Sequence, residues 1–291
     1  MRKNLRHDLR TIVMDNFKEG QKKYDIKHEK RETIGVWSYG TRADLLDKIN
    51  TFSEWCKDEG ITKIERVDRE LITRFLEKKS NEGCTDRTVE AYRSALRRIG
   101  MMAGEDWGTE KVVSRGRAKA ADRGAGSVIS KNDYDKLLDY CRENPSKSSV
   151  CVLLEREIGV RAGDLAYGIK IENNELKINS KNGRICTREI TPEISRIINS
   201  DLFKGMVDEQ GRVHAPKDNS LNKFLSRTED RLGIERHSFH DLRRYRAQEK
   251  YDEYRNSGSD RTQALNKVGE WLNHGNKRAT MVLESYIGNA W

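Results

Sequence analysis

Apolar positions recur three and four residues apart along most of this chain, the period of a helix with one buried face. Leu5, Leu9, Ile12 and Phe17 make the first stripe, with basic residues on the other faces. A break containing Gly35 and Gly40 follows. Thr41 then reads as a helix cap with Asp44 at the third helical position, ahead of the stripe Leu45, Ile49, Phe52 and Cys56. Asp68 opens a second helix over Leu71, Ile72, Phe75 and Leu76. Thr85 or Asp86 opens a third over Val89, Tyr92, Leu96 and Ile99, and Gly104 suits its end. The pattern over 41–104 predicts a compact helical domain.

The pattern then lapses. Arg115–Ser127 reads RGRAKAADRGAGS, almost without apolar anchors. It predicts a linker, with a helical extension as the alternative, and thirteen extended residues reach about 45 Å. Beyond it, Ser130 caps a helix whose stripe is Tyr134, Leu137, Leu138 and Cys141, and which Pro145 stops. A buried helix over Ser149–Ile158 ends at Gly159. Between 168 and 190 the period shortens. Ile169, Ile171, Leu176 and Ile178 fall in short β-like runs, and Lys181-Asn182-Gly183-Arg184 is a good hairpin turn before Ile185–Ile190. From Pro192 the pattern is helical again. The fold class is therefore mainly α with a small β-sheet: a helical domain followed by an α+β domain.

Composition sharpens this. The chain has 291 residues, room for two domains, and carries 56 Lys and Arg against 47 acids, a net charge of +9. The excess is clustered. Residues 1–31 hold ten basic and five acidic side chains, and residues 111–131 hold six basic side chains and one acid, Asp122. Clustered positive charge points to a polyanion as partner. The five cysteines are widely spaced and form no CxxC or Cys/His cluster, so reduced thiols are expected and a zinc site is not. The apolar runs are too short to span a membrane, and MRKNLRHDLR lacks the apolar core of a signal peptide.

The chemistry concentrates near the end. His240 and Arg243, in HSFHDLRRYRAQ, lie three apart and share one helix face, so imidazole and guanidinium can converge on one phosphate. His274 follows in EWLNHGN, and Tyr286 in LESYI. Upstream, EREIGVRAGDL places Arg161 three residues before Asp164. Taken together these segments resemble the tyrosine recombinase (phage integrase) family, over roughly residues 41–290. The resemblance is specific in the second domain and rests on helix count in the first.

The resemblance implies a site-specific DNA recombinase that cuts and rejoins DNA through a 3′-phosphotyrosyl intermediate, without metal, ATP or other cofactor. Arg161 and Arg243 would hold the phosphate, with Asp164 in support. His240 would exchange a proton with the nucleophile Tyr286, and His274 would donate a hydrogen bond to the phosphate. Lys181, in the hairpin turn, would protonate the leaving 5′ oxygen, with Lys177 and Lys170 as competitors on the same hairpin. Arg115, Arg117, Lys119, Arg123 and Arg244 are the expected DNA contacts. The domains would be a helical extension at 1–38, a core-binding (SAM-like) domain at 39–112, a basic linker at 113–127 and a catalytic domain at 128–291. Double-stranded DNA with a specific target site is the expected partner, bound by a homo-tetramer, in the cytoplasm at the nucleoid and not at a membrane. A type IB topoisomerase-like nicking and closing enzyme, and a catalytically inactive DNA-binding relative, are the alternatives.

Three features stand out. Asn273 replaces the Gly that usually precedes the family's second histidine, and Asn is the next residue after Gly to tolerate a left-handed backbone. Tyr286 lies twelve residues beyond His274, three more than the family's usual nine. Only Ile287–Trp291 follow it, so either Trp291 anchors a short tail on a neighbouring copy or other surfaces assemble the tetramer.

Overall fold

The computed structural model describes residues 4–21, 34–111, 128–180 and 184–287. The chain divides into two compact units, Met1–Lys119 and Ala120–Trp291. The expected linker, and with it Arg115, Arg117, Lys119 and Arg123, lies outside the described residues, as do Lys181 and Trp291.

The first unit holds helices α1 (Leu5–Asp15), α2 (Tyr39–Asp58), α3 (Arg69–Asn81) and α4 (Asp86–Ala103), with a short 3₁₀ turn at Ile64–Arg66. Each main helix begins at a side-chain oxygen that accepts an otherwise orphaned backbone N–H. Asp68 accepts from Leu71 at 2.8 Å, and Thr85 from Thr88 at 3.2 Å. For α2 the cap is Ser38, which accepts from the N–H of Thr41 at 3.1 Å, so the helix starts two residues before the expected Thr41 cap. Ser and Thr three apart offer the same hydroxyl, and the pattern alone cannot choose between them. Gly104 ends α4 in the left-handed region, at φ +79°.

One apolar core joins all four helices. Leu9, Ile49, Phe52, Ile72, Phe75, Leu96 and Ile99 are fully buried in it, and Phe52 meets Phe75 edge to face at 5.1 Å. The N-terminal helix belongs to this core through Leu5, Leu9 and Val13. Val13, not Phe17, completes its stripe. Phe17 instead lies past the helix, bridges the backbone of Val36 and packs against Tyr39.

In the second unit, α5 (Lys131–Glu143), α6 (Lys147–Ile158) and α7 (Ala162–Tyr167) precede strands β1 (Ile169–Glu172), β2 (Glu175–Ser180) and β3 (Arg184–Glu189). The sheet is antiparallel in the order β1-β2-β3, with Ile169 opposite Ile178 and Ser180 opposite Arg184. Asn173 and Asn174, at φ +51° and +59°, make a two-residue turn between β1 and β2, the backbone that a type I′ hairpin requires. Five helices follow: α8 (Pro192–Ile198), α9 (Asp201–Lys204), α10 (Asp218–Leu232), α11 (Phe239–Asn256) and α12 (Arg261–Trp271), and then α13 (Ala279–Tyr286). The helical pattern expected from Pro192 is interrupted. Residues 207–213 instead fold along the edge of β1, where Val213 N–H donates to Ile169 O at 3.0 Å and Ile171 N–H to Gly211 O at 3.1 Å. These bonds satisfy an edge strand that would otherwise present open backbone groups.

Two cores lie in this unit, and α11 spans both. Phe239 and Leu242 join the larger core around α5, α6 and the sheet. Ala247 and Tyr251 join a smaller one with Leu265, Val268, Val282, Tyr286 and Ile287. No helix among the described residues is long and apolar enough to cross a membrane.

Candidate active site

The N-terminal end of α11 sets the first two groups. Asp241 accepts from both the backbone N–H of Ser238, at 2.8 Å, and its hydroxyl, at 2.6 Å. This reciprocal cap fixes the helix start and so places His240 and Arg243 on one face. Arg243 is only 1% exposed. A buried guanidinium is costly unless its donors find acceptors. Its Nε donates to Gly159 O at 2.8 Å, one terminal nitrogen donates to Leu272 O, and Nη1 reaches Tyr286 Oη at 3.4 Å. Burial lowers its pKa to about 10, which leaves it cationic at neutral pH.

Gly159 makes this seat possible. It ends α6 at φ +61°, and a Cβ there would lie 2.2 Å from the Trp271 ring. Only glycine allows the indole to close over the chain while the carbonyl faces Arg243.

Tyr286, at the end of α13, is 3% exposed. Its hydroxyl lies 2.9 Å from His274 Nε2. The same histidine nitrogen is 3.2 Å from Arg161 Nη2. His240 stacks edge-on against the Tyr286 ring, with centroids 5.4 Å apart. Although the residue is exposed, the packed protein around His240, then the Arg244 and Arg243 charges, hold its pKa down to about 4. Its imidazole is neutral at neutral pH.

The longer spacing between His274 and Tyr286 is taken up in the turn before α13. Asn273, Gly275 and Lys277 all have positive φ there, at +55°, +85° and +54°. Asn273 thus adopts the left-handed backbone expected of it, and the extra residues do not displace Tyr286 from His274.

Asp164 is 5% exposed. Its carboxylate accepts from the Arg161 N–H at 3.3 Å and pairs with Arg161 Nη1 at 3.5 Å. Arg244, expected at DNA, is turned inward: Nη1 donates to Asp241 at 2.8 Å and Nε to Ser285 O at 3.1 Å. It ties the helix bearing the tyrosine to the helix bearing His240. Lys170 and Lys177, the competitors of Lys181, both pair with Glu172.

Sequence reasoning passed over Glu155. It lies in the apolar stripe of α6, fully buried, and neither carboxylate oxygen has a hydrogen-bond partner among the described residues. Burial pushes its pKa up to about 8, against the pull of Arg243, Arg246 and Arg156. No sequence signal separates it from a surface glutamate, because its burial is set by how α11 crosses α6.

Residues 35–103 match the family described as the phage integrase N-terminal SAM-like domain. No curated protein sequence matches the chain. Among solved structures, a lambda integrase dimer bound to a COC′ core site superposes with a TM-score of 0.60 at 16% identity, covering 92% of this chain and 77% of that one. XerH site-specific recombinase bound to difH substrate gives 0.56 at 14% identity, covering 99% and 95%. A lambda integrase tetramer bound to a Holliday junction gives 0.58 at 18%, covering 89% and 74%. The two units together carry the tyrosine-recombinase fold. The stretch that matches the SAM-like family lies within the first unit.

Proposed function

We propose that this chain is a site-specific DNA recombinase of the integrase type, with Tyr286 as its nucleophile. One observation carries the reading. The Tyr286 hydroxyl lies within hydrogen-bonding distance of both His274, at 2.9 Å, and Arg243, at 3.4 Å, on side chains brought from three separate parts of the chain. A phosphate placed there meets two guanidinium groups and an imidazole as well as a phenol, and a concentration of donors at one oxyanion is the usual basis of such catalysis.

In this reading Tyr286 Oη attacks the phosphorus. The Oη–P bond forms and the bond to the 5′ oxygen breaks. The phenolic proton passes to neutral His240, and Lys181 protonates the departing oxygen. Arg161, Arg243 and His274 stabilise the charge on the non-bridging oxygens, and Asp164 keeps Arg161 turned toward them. The phosphotyrosine conserves the energy of the broken bond, so rejoining needs neither metal nor ATP. The basic residues Arg115, Arg117, Lys119 and Arg123 add phosphate contacts. Arg244 serves the site from inside, by holding α13. The lambda integrase structure is described as a tetramer on a Holliday junction. By analogy four copies of this chain act together on two DNA sites in the cytoplasm.

The test is a nicked suicide substrate carrying the target site, on which a cut strand cannot be rejoined. Wild-type protein accumulates a covalent adduct and Tyr286→Phe accumulates none. An adduct that persists in the Phe variant removes the assignment. Strand exchange between two sites, beyond mere relaxation of supercoils, marks a recombinase rather than a nicking and closing enzyme.

A further inference from the structure

Asn273 does more than fit a left-handed turn. Its side-chain amide donates to Ser180 Oγ at 2.9 Å. Ser180 is 4% exposed and donates in turn to Asp164 Oδ2 at 3.0 Å. That carboxylate pairs with Arg161, whose Nη2 lies 3.2 Å from His274. The contacts close a ring that leaves the chain at Asn273 and returns at its neighbour His274. It passes through the end of β2 and the start of α7. Ser180 is also the last residue of β2, next in sequence to Lys181.

Backbone geometry alone does not call for this side chain. At φ +55° glycine carries no steric cost, whereas asparagine is merely tolerated. Within the ring the amide holds the hydroxyl of a buried serine, and a hydroxyl so placed keeps the geometry its partners give it. The geometry points to Asn273 as a positioning residue for cleavage: with Ser180 it fastens the end of β2, the residue before Lys181 in sequence, to the His274 turn. Arg161 also bonds the Asp164 carboxylate directly, through its backbone N–H and Nη1, contacts that the amide does not make. The inference rests on the recombinase reading for its catalytic part and stands on free protein for its structural part.

Asn273→Gly separates the two demands, since it relieves the backbone and removes the amide. The variant should fold with an unchanged or higher Tm and bind DNA as wild type does. Single-turnover cleavage should nevertheless fall about ten- to a hundredfold, the cost of a small misplacement at a catalytic centre. Ser180→Ala should behave alike, and the double variant should be no slower than the slower single one, as members of one link are not additive. When sulfur replaces the leaving 5′ oxygen, departure no longer needs a proton. Asn273→Gly should then return to within about threefold of wild type, tracking Lys181→Ala as the reference. Full activity of Asn273→Gly on the ordinary substrate overturns the inference, and so does an equal loss on both substrates.

Amide hydrogen exchange on the DNA-free proteins supplies an arm that needs no activity. Asn273→Gly should speed exchange at Ser180 and Arg184, which face each other across β2 and β3, about tenfold while leaving β1 unchanged. Unchanged exchange at those two amides overturns the inference even if wild type proves inactive. Failure of wild type to form an adduct counts against the recombinase reading alone.

Discussion

Tyr286 is at once the proposed nucleophile and a core side chain, and its two roles come apart under substitution. Tyr286→Phe keeps the ring among Val282, Ile287 and Val268 and should leave thermal unfolding within a few degrees of wild type. Tyr286→Ala should cost about 3–5 kcal/mol, as large-to-small changes of buried aromatics do, and a thermal melt distinguishes the two. Glu155 carries a second prediction. Its pKa rises from 4.5 to about 8 on folding, so the native state holds the proton more tightly than the unfolded chain. Its contribution is fully present below about pH 4.5 and is lost as pH climbs through about 8. Glu155→Gln should therefore flatten the fall in Tm across that window and be more stable than wild type at pH 8.5. Melts that stay parallel at every pH would show that Glu155 does not titrate there. The sequence shows Arg161, Asp164, His240, Arg243, His274 and Tyr286 because each is a reactive type in a recognisable spacing. It hides Glu155 and Ser180, whose meaning lies only in what crosses them in space. Arg244 is ambiguous for the same reason: a basic side chain beside HxxR reads as a DNA contact, and its inward bonds to Asp241 and Ser285 depend on where α13 lands.

Helices were easier to read than the joints between them. Asp68, Thr85 and Ser130 cap where expected, because each precedes a clean apolar stripe. The Asn173-Asn174 turn and the pairing of residues 207–213 with β1 were not expected; the first hides in a polar dipeptide and the second depends on long-range pairing. The joint at Gly159 offers a sharp test. Gly159→Ala places a methyl into Trp271 at a left-handed residue. It should cost about 1–2 kcal/mol for the backbone and about 1–3 kcal/mol for the overpacking. The shifted carbonyl also loosens Arg243. Cleavage should fall more than DNA binding does, measured as adduct yield against a binding isotherm. A variant that melts early but cleaves normally would confine Gly159 to packing.

For the whole molecule the dominant property is charge. A net +9 on 291 residues, with basic side chains concentrated near 111–131, suits a partner met mainly through phosphates. If about six to ten phosphates are contacted, affinity should fall roughly 10³–10⁵-fold between 50 and 200 mM salt. A fragment of residues 127–291 should bind more weakly and with a shallower salt slope, since it lacks the first unit and most of the basic run. Equal slopes would mean that the first unit contributes no phosphate contacts. The two-unit plan was readable from the loss of apolar periodicity at Arg115–Ser127. For α1 the sequence leaves open a helix of the first unit's core, a contact with another copy or a DNA-binding arm, because an amphipathic helix shows that it has a buried face without showing what covers it; the structure builds it into the core.

The smaller core of the second unit has a mechanical consequence. In the covalent intermediate proposed above, a DNA end would be tethered to Tyr286, a member of that core. Tension on the strand would then be borne first by α12 and α13, and would reach the larger core through α11, the Trp271–Gly159 contact and the Asn273–Ser180 bond. A cut end held this way would load those two helices first, while Arg243 keeps a separate anchor on the Gly159 carbonyl.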